Sequence, residues 1–402
     1  MKNSILVSTF FQKYRVARYQ ALVLSSTLFL CVGLLAFTQA QSSVTLLKAP
    51  NGGIQPQAQM DEKGNLHLIY YSGDQGGGNL FYVIRQAGKE AFSAPIQVNS
   101  VLGSSVSAGT IRGGQMALGK GGRVHVAWNG SKSVKGNMEY ARLNDAGTEF
   151  EAERGLMLDS MNLDGGGSIA ADDKGNVYVV WHGNKAGGKM TEDQRQVWIA
   201  ISKDDGKTFA KEILVWDKLG VCACCQMRAF ADHKGTINIL YRSAIGGNRD
   251  INLLFGKEGG LNFTGGVLHP WKVATCPMST MGISDNSKMV VTAWETDGQI
   301  YFSTIKPGVA TSNPVGMPIP KGVMASTKPK IRKFPCIAVN TKGEIIVAWA
   351  EGAGWAKGGD LVWQVFANKG NPTEDKGRLA DGVPVWGLPS VVAMETGFLL
   401  IH

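Results

Sequence analysis

The sequence predicts an all-β protein built by repetition, and three observations carry that expectation. Its 402 residues include 52 glycines and 14 prolines, punctuation that suits many short strands joined by tight turns. Almost no stretch shows the 3.6-residue apolar period of a helix. Most decisively, one pattern returns along the chain: a small apolar strand, a polar turn usually carrying Gly, then an alternating strand that ends in an aromatic residue.

The copies read "PQAQMDEKGNLHLIYY" (56–71), "GQMALGKGGRVHVAW" (114–128), "GSIAADDKGNVYVVW" (167–181), "MRAFADHKGTINILY" (227–241), "STMGISDNSKMVVTAW" (279–294) and "PCIAVNTKGEIIVAW" (335–349). Their last aromatics, Tyr71, Trp128, Trp181, Tyr241, Trp294 and Trp349, stand 53 to 60 residues apart. A seventh, weaker copy, "PSVVAMETGFLLIH", runs from 389 to 402. Repeats of this order that hold several short strands each are the signature of propeller blades.

Two further strand candidates fill each interval, for example "QVWIAIS" (196–202) and "KEILVW" (211–216). Each blade therefore has four antiparallel strands, A to D, with the quoted hairpins as A and B. Closing the array into a ring removes the exposed sheet edges that an open stack would leave. The chain starts with a D-like strand, "SVTLLKAP" (43–50), and ends with an A–B hairpin, so the two ends are expected to share the closing blade. Seven hairpins favour seven blades. Six is the alternative if the weak terminal copy stands outside the ring.

Ahead of the repeats, the first 20 residues carry Lys2, Lys13, Arg15 and Arg18 with no acid. An apolar run from Ala21 to Phe37 follows, interrupted only by Ser25, Ser26 and Thr27, and then small residues at Thr38 and Ala40. That order is the order of a secretory signal with cleavage after Ala40. An uncleaved anchor is the alternative, since about 17 residues is the lower limit for a span. The expected layout is a signal at 1–40 and one propeller domain at 41–402, exported to the periplasm or the outside. No later segment is long and apolar enough for a stable membrane span. Removing the signal takes away four basic and no acidic residues, lowering the formal charge of +9 by four. The remaining positive bias suits an anionic partner, and no basic run with interleaved aromatics points to nucleic acid.

At "SKDDGKTF" (202–209), between strands C and D of the third repeat, the chain resembles the Asp-box of sialidase-type propellers, with Ser202, Asp204, Gly206, Thr208 and Phe209 in the box positions and Phe replacing the usual Trp. Degenerate copies, "LNDAGTEF" (143–150) and "GKEGGLNF" (256–263), fall at the same point of the neighbouring repeats. The resemblance, which includes the short bacterial neuraminidase (BNR) repeat, implies a sialidase-like β-propeller in which the boxes brace the face opposite the site. A narrower resemblance, through "CACC" (222–225), "YR" (241–242), "RD" (249–250) and "WKVATCP" (271–277), is to secreted bacterial sialidase-like proteins of unassigned activity. The family's Arg-Ile-Pro start is absent, and "TIRGGQ" (110–115) offers only an arginine near that place.

In a propeller the D-to-A and B-to-C connections share one face, around the channel mouth. That expectation puts Cys222, Cys224 and Cys225, Cys276 and Cys336, the rim residues His182, Arg242, Arg249, Asp250, Glu295 and Glu351, and Arg112 and Asp164 on a common rim. Export favours disulfides, with Cys222, Cys224 or Cys225 joined to Cys276. Five mature cysteines leave at least one thiol unpaired within the chain. No cofactor is expected on that reading; the alternative is a copper or zinc ion held by Cys222, Cys224, Cys225, Cys276 and His182, because thiolates favour soft ions. A catalytic thiol is the third reading.

Sialoside hydrolysis needs arginines to grip a carboxylate and carboxyl groups for acid–base work. The candidates are Arg112, Arg242, Arg249 and His182 for binding, and Asp250, Glu295 and Glu351 for chemistry, each set against a plain role in structural ion pairs. Three functions follow: a propeller that binds, or also hydrolyses, an anionic glycan or polysaccharide at its mouth; a non-catalytic protein- or polysaccharide-binding module; and a cysteine-dependent metal or redox protein. If the chain is an enzyme, the resemblance makes it a sialidase-like glycoside hydrolase.

Overall fold

The computed structural model describes residues 42–256, 259, 262–307, 317–318 and 331–402. The expected signal at 1–40 lies outside the described residues, as do positions 257, 258, 260 and 261 of the degenerate box copy. Residues 43–402 form one compact unit.

Among the described residues, seven sheets make up that unit, so the seven-blade reading holds. Blade 1 comprises Ile54–Met60, Leu66–Asp74, Gly77–Arg85 and Ile96–Gln97. Blade 3 is built on Ser168–Ala171, Val177–Lys185, Gln196–Ser202 and Ile213–Leu214, and blade 4 on Arg228–Ala231, Ile237–Arg242, Ile251–Gly256 and Phe263–His269. The innermost strands of blades 2, 5 and 6 are Gln115–Leu118, Met281–Asp285 and Arg332–Val339. Each innermost strand contacts the innermost strand of the next blade, and the last, Ser390–Ala393, contacts the first, which closes the ring.

The period of two in the B strands explains why the blades stack. A strand buried on both faces sends alternate side chains to opposite sides. In blade 3, Val177, Val179 and Trp181 enter the core shared with blade 2, whereas Tyr178 and Val180 enter the core shared with blade 4. One such apolar cluster fills each of the seven interfaces, including the one that joins blades 1 and 7. Trp128, Trp181, Trp294 and Trp349 are fully buried there.

The closing blade differs from the expectation. Val44–Leu47 pairs with Phe398–Ile401 in parallel, Val44 opposite Phe398 and Leu47 opposite Ile401, and takes the third position of a three-stranded sheet rather than the outermost position of four. The ladder continues beyond the strand: Ala49 N donates to His402 O at 2.7 Å, and Ser43 N and Oγ both donate to Asp375 Oδ2 of blade 6 at 2.6 Å. The N-terminal strand thus covers what would be an exposed C-terminal edge.

Opposite the mouth, the A–B turns repeat one device. Asp61, Asp172, Asp232 and Asn340 each accept from the backbone N–H groups two and four residues on. The glycine at the third position takes φ between +74° and +91° in all four, a region that favours glycine. The Ser202–Phe209 turn combines local bonds with ties to blade 2, where Arg142 Nη1 donates to Asp205 O at 2.9 Å and Arg123 pairs with the Asp205 carboxylate. Asp204 Oδ1 accepts from Thr208 N at 2.9 Å, Asp204 Oδ2 from Thr208 Oγ1 at 2.6 Å, and Ser202 Oγ from Gly206 N at 2.9 Å. Phe209 packs edge-on to Tyr140 of blade 2 with centroids 4.7 Å apart.

Candidate functional site

The mouth is where the D-to-A and B-to-C connections meet, and blades 3 to 6 supply most of its polar side chains. The connection holding the cysteine triplet is stitched to both sides: Gly220 N donates to Arg195 O at 2.9 Å, and Cys222 N to Arg242 O at 2.9 Å. Cys224 and Cys276 form a disulfide with their Cα atoms 6.4 Å apart, the pairing expected for one member of the triplet. Cys276 is exposed, whereas Cys222 and Cys225 are free and buried. Their sulfurs lie 3.4 Å apart, with Cys222 Sγ 3.6 Å from Cys224 Sγ. Burial raises the Cys225 thiol, but the hydrogen bond from Cys222 and the Arg242 guanidinium outweigh it and hold it at about 7. The same hydrogen bond and burial push Cys222 up.

The expected rim residues prove to be mainly an ion-pair framework beneath the mouth. Arg249 pairs with both oxygens of Glu192, Nη1 to Oε1 at 2.8 Å and Nη2 to Oε2 at 2.9 Å, and Glu192 Oε1 also accepts from Ala223 N at 2.9 Å. Burial alone would raise the Glu192 carboxyl, yet the Arg249 and Ala223 hydrogen bonds bring it below its ordinary value. Arg242 is fully buried: Nη1 donates to Arg249 O at 2.8 Å, Nη2 donates to Glu295 O, and the guanidinium lies 5.1 Å from the Trp271 ring. Its carboxylate neighbour Glu295 has Oε2 3.8 Å away; burial raises that carboxyl. Glu351 is held by Arg332, 3.1 Å from Nε to Oε1, and by Arg378. Asp250 Oδ1 accepts from Trp271 N at 2.8 Å.

These positions correct the reading of an open rim. The B strands run past their terminal aromatics: His182 pairs with Val197, Arg242 with Ile251, Glu295 with Ile300 and Glu351 with Asp360. Their side chains therefore enter the spaces between blades instead of lining a loop. His182 is fully buried, with Nε2 3.3 Å from Cys225 O and Nδ1 3.4 Å from Arg195 Nη1. Burial, reinforced by Arg195, takes its ring down to about 3, so it is neutral and sealed from a ligand. Cys336 is not on the rim either. It lies within the innermost strand of blade 6 and lines the central channel, where burial pushes its thiol up to about 12.

That channel offers about 410 Å³ to water-sized molecules. Arg228 reaches into it, donating from Nε to Met281 O at 2.8 Å and from Nη1 across to Gln57 Oε1 at 3.2 Å. Burial lowers the guanidinium to about 10.

Around the channel mouth the structure brings the expected Arg112 together with Trp355, Trp386 and Met278, which sequence reasoning missed. A Cβ on Gly109 would lie 2.8 Å from Arg112 Nη1, 3.1 Å from Trp355 Cζ3 and 3.2 Å from Met278 Cε, so three side chains from three blades converge on that glycine. Trp355 is 63% exposed and stands edge-on to Trp386, with centroids 5.0 Å apart. Gln55 Nε2 ties the Trp386 carbonyl, at 2.7 Å, to that of Ser107, at 2.8 Å. Arg112 pairs with Asp164 through Nη2, donates from Nε to Asp164 O at 2.8 Å and from Nη1 to Ala108 O at 2.8 Å, and keeps 20% of its side chain exposed. Non-glycine residues with positive φ in or beside this cluster are Thr110, Met278, Ala356 and Trp386. A tryptophan in a Gly-rich B-to-C loop, "EGAGWAKGG" (351–359), was the available signal.

No protein-family profile matches the chain, and no curated protein matches it in sequence. Among solved structures it is similar to a six-bladed fucose-recognising lectin from Aleuria aurantia, at 12% identity and a TM-score of 0.50, over 83% of this chain and 96% of that one. It is also similar to an α-L-arabinanase from Penicillium chrysogenum, at 12% identity and 0.49, over 79% and 94%, and to the Hadza microbial sialidase Hz136, at 12% and 0.48, over 80% and 70%. Identity of this order speaks for the fold alone. The chain is a β-propeller in architecture, with seven blades among the described residues against the lectin's six.

Proposed function

We propose that this chain is an exported propeller that binds an anionic glycan or polysaccharide at its channel mouth, without cleaving it. The observation that carries the reading is the exposed Trp355, braced by Trp386 and adjoining the Arg112 guanidinium. An aromatic face covers the apolar side of a sugar ring at little entropic cost, while a guanidinium suits a carboxylate or sulfate. Residues held at positive φ around the same point are what a preorganised site requires. The fucose recognition printed for the Aleuria lectin concerns that protein and supports only the suitability of the scaffold.

Binding rather than hydrolysis is favoured because Glu295 and Glu351 are engaged in buried pairs and Asp250 is committed to a loop. A general acid must reach the leaving group. In this reading Arg112 touches the ligand, and Arg242, Arg249 and His182 shape the mouth from beneath. Removal of residues 1–40 as a signal and export to the periplasm or beyond accord with the Cys224–Cys276 bridge. The Ser202–Phe209 turn serves as an Asp-box that braces the opposite face.

Calorimetric titration with sialylated, uronate-containing and neutral oligosaccharides tests this. Binding of acidic glycans is expected, weakened about 30-fold by Trp355→Ala, as for a hot-spot aromatic. Arg112→Ala should affect acidic ligands selectively. Unchanged affinity in both variants, or release of free sugar from any ligand, would overturn the proposal.

A further inference from the structure

The cysteine triplet is not used by that function, and its surroundings point elsewhere. Cys222, Cys224 and Cys225 expose only 1%, 8% and 2% of their surfaces, and their three sulfurs all lie within 4.8 Å of one another. The group is packed against Ala244 and the half-buried Met278, whose thioether is a further soft donor. Among the described residues these are the sole trio of His, Cys, Asp or Glu side chains close enough to share an ion. Metal–sulfur bonds of about 2.3 Å place three thiolates in a plane about 4 Å apart. The 3.6 and 3.4 Å separations from Cys222 need to widen by only a few tenths of an ångström. Arg249 and Arg242 flank the sulfurs and would offset the negative charge of three thiolates around one monovalent ion.

We propose that Cys222, Cys224 and Cys225 form a Cu(I) site that opens when the Cys224–Cys276 disulfide is reduced. Three sulfur donors with a thioether beside them suit Cu(I), whereas structural zinc takes four ligands. While the bridge is closed, Cys224 has no thiolate to contribute and two donors remain. A small-molecule or protein dithiol supplies the two electrons: its two S–H groups become one S–S bond, the Cys224–Cys276 bond breaks, and both cysteines take up a proton. Cu(I) then displaces the protons of Cys222, Cys224 and Cys225. The exposed Cys276 gives the reductant its point of attack, and its freed thiol stays outside the trio.

Anaerobic titration of the whole chain with Cu(I), in competition with a chromophoric Cu(I) chelator, provides the test. The dithiol-reduced, desalted protein should take up one Cu(I) per chain and the oxidised protein fewer than about 0.1. Cys276→Ser, which cannot form the bridge, should bind without prior reduction, and Cys225→Ser should lose at least about 100-fold in affinity. Should Cys225→Ser fail to fold, alkylation of reduced wild type followed by mass spectrometry decides: Cu(I) must protect residues 222, 224 and 225 while Cys276 stays reactive. Equal uptake by oxidised and reduced protein, no uptake by Cys276→Ser, or protection of a different set of cysteines would overturn the proposal. A preference for Zn²⁺ over Cu(I) at the trio would do so as well.

Discussion

The two ends of the propeller hold their polar groups in opposite ways. At the end away from the mouth, the leading acceptor of each turn is satisfied locally: Asp61, Asp172, Asp232, Asn340 and Asp204 all accept from the backbone N–H four residues on, while Asp205 adds a tie to Arg123 of blade 2. At the mouth the partners are far apart in sequence, as in Glu192 with Arg249, Arg242 with Glu295, and Cys224 with Cys276. Losing one member of a local turn frees a group that water can reach. Losing one member of a mouth pair strands a charge between blades, so the same kind of substitution should cost far more there.

The largest effect is expected from Arg242→Ala, which leaves Glu295 buried without its cation. Breaking a buried pair this way costs about 3–5 kcal/mol, measurable as a lower urea midpoint. Replacing Glu295 by Gln in the same chain removes the stranded charge, and a double-mutant cycle should recover much of the loss. Simple additivity of the two changes would show that the pair is not the unit that matters.

Reduction of the Cys224–Cys276 bridge, which spans 52 residues of sequence, should come next, at about 2–4 kcal/mol. Thermal melts with and without a dithiol would register it, and a bridge at an inessential edge of the mouth would leave the melting temperature unmoved.

Asp204→Ala should have the smallest effect, about 1 kcal/mol, typical of a lost capping acceptor, with glycan affinity unchanged. Its pH dependence has a defined sign. Burial acts to raise the Asp204 carboxyl, but hydrogen bonds from Thr208 and Ser202 prevail and hold it at about 2. The folded value lies below the unfolded one, so the stabilisation is fully present above about pH 4 and is lost as pH falls towards 2. Wild type and Asp204→Asn should therefore converge in melting temperature over that interval. A gap that stays constant down to pH 2 would rule out the carboxylate as the source.

How much was legible follows the same division. The hairpin repeats, the seventh blade and the polar, Gly-bearing turns were readable because strand alternation and turn geometry depend on neighbours in sequence. The Cys224–Cys276 pairing was readable as a class, one of three thiols joined to Cys276, since adjacent repeats bring their A-strand entrances together. Which of the three it was depended on side-chain direction within a four-residue stretch. The parallel pairing of Val44–Leu47 was missed because a strand's apolar pattern reads the same in either direction.

The sequence by itself determined the period of the repeats, the alternation that fills seven interfaces, and the turns that close on their own atoms. Tertiary structure decided the fate of the charged and sulfur-bearing side chains. Whether Arg242 or Glu295 meets a ligand or a counter-ion depends on desolvation and on partners about fifty residues away. Trp355 became a candidate only when folding set it beside Arg112 from another blade. Ionic and binding roles are properties of a place in space, and no local pattern encodes which blades will border it.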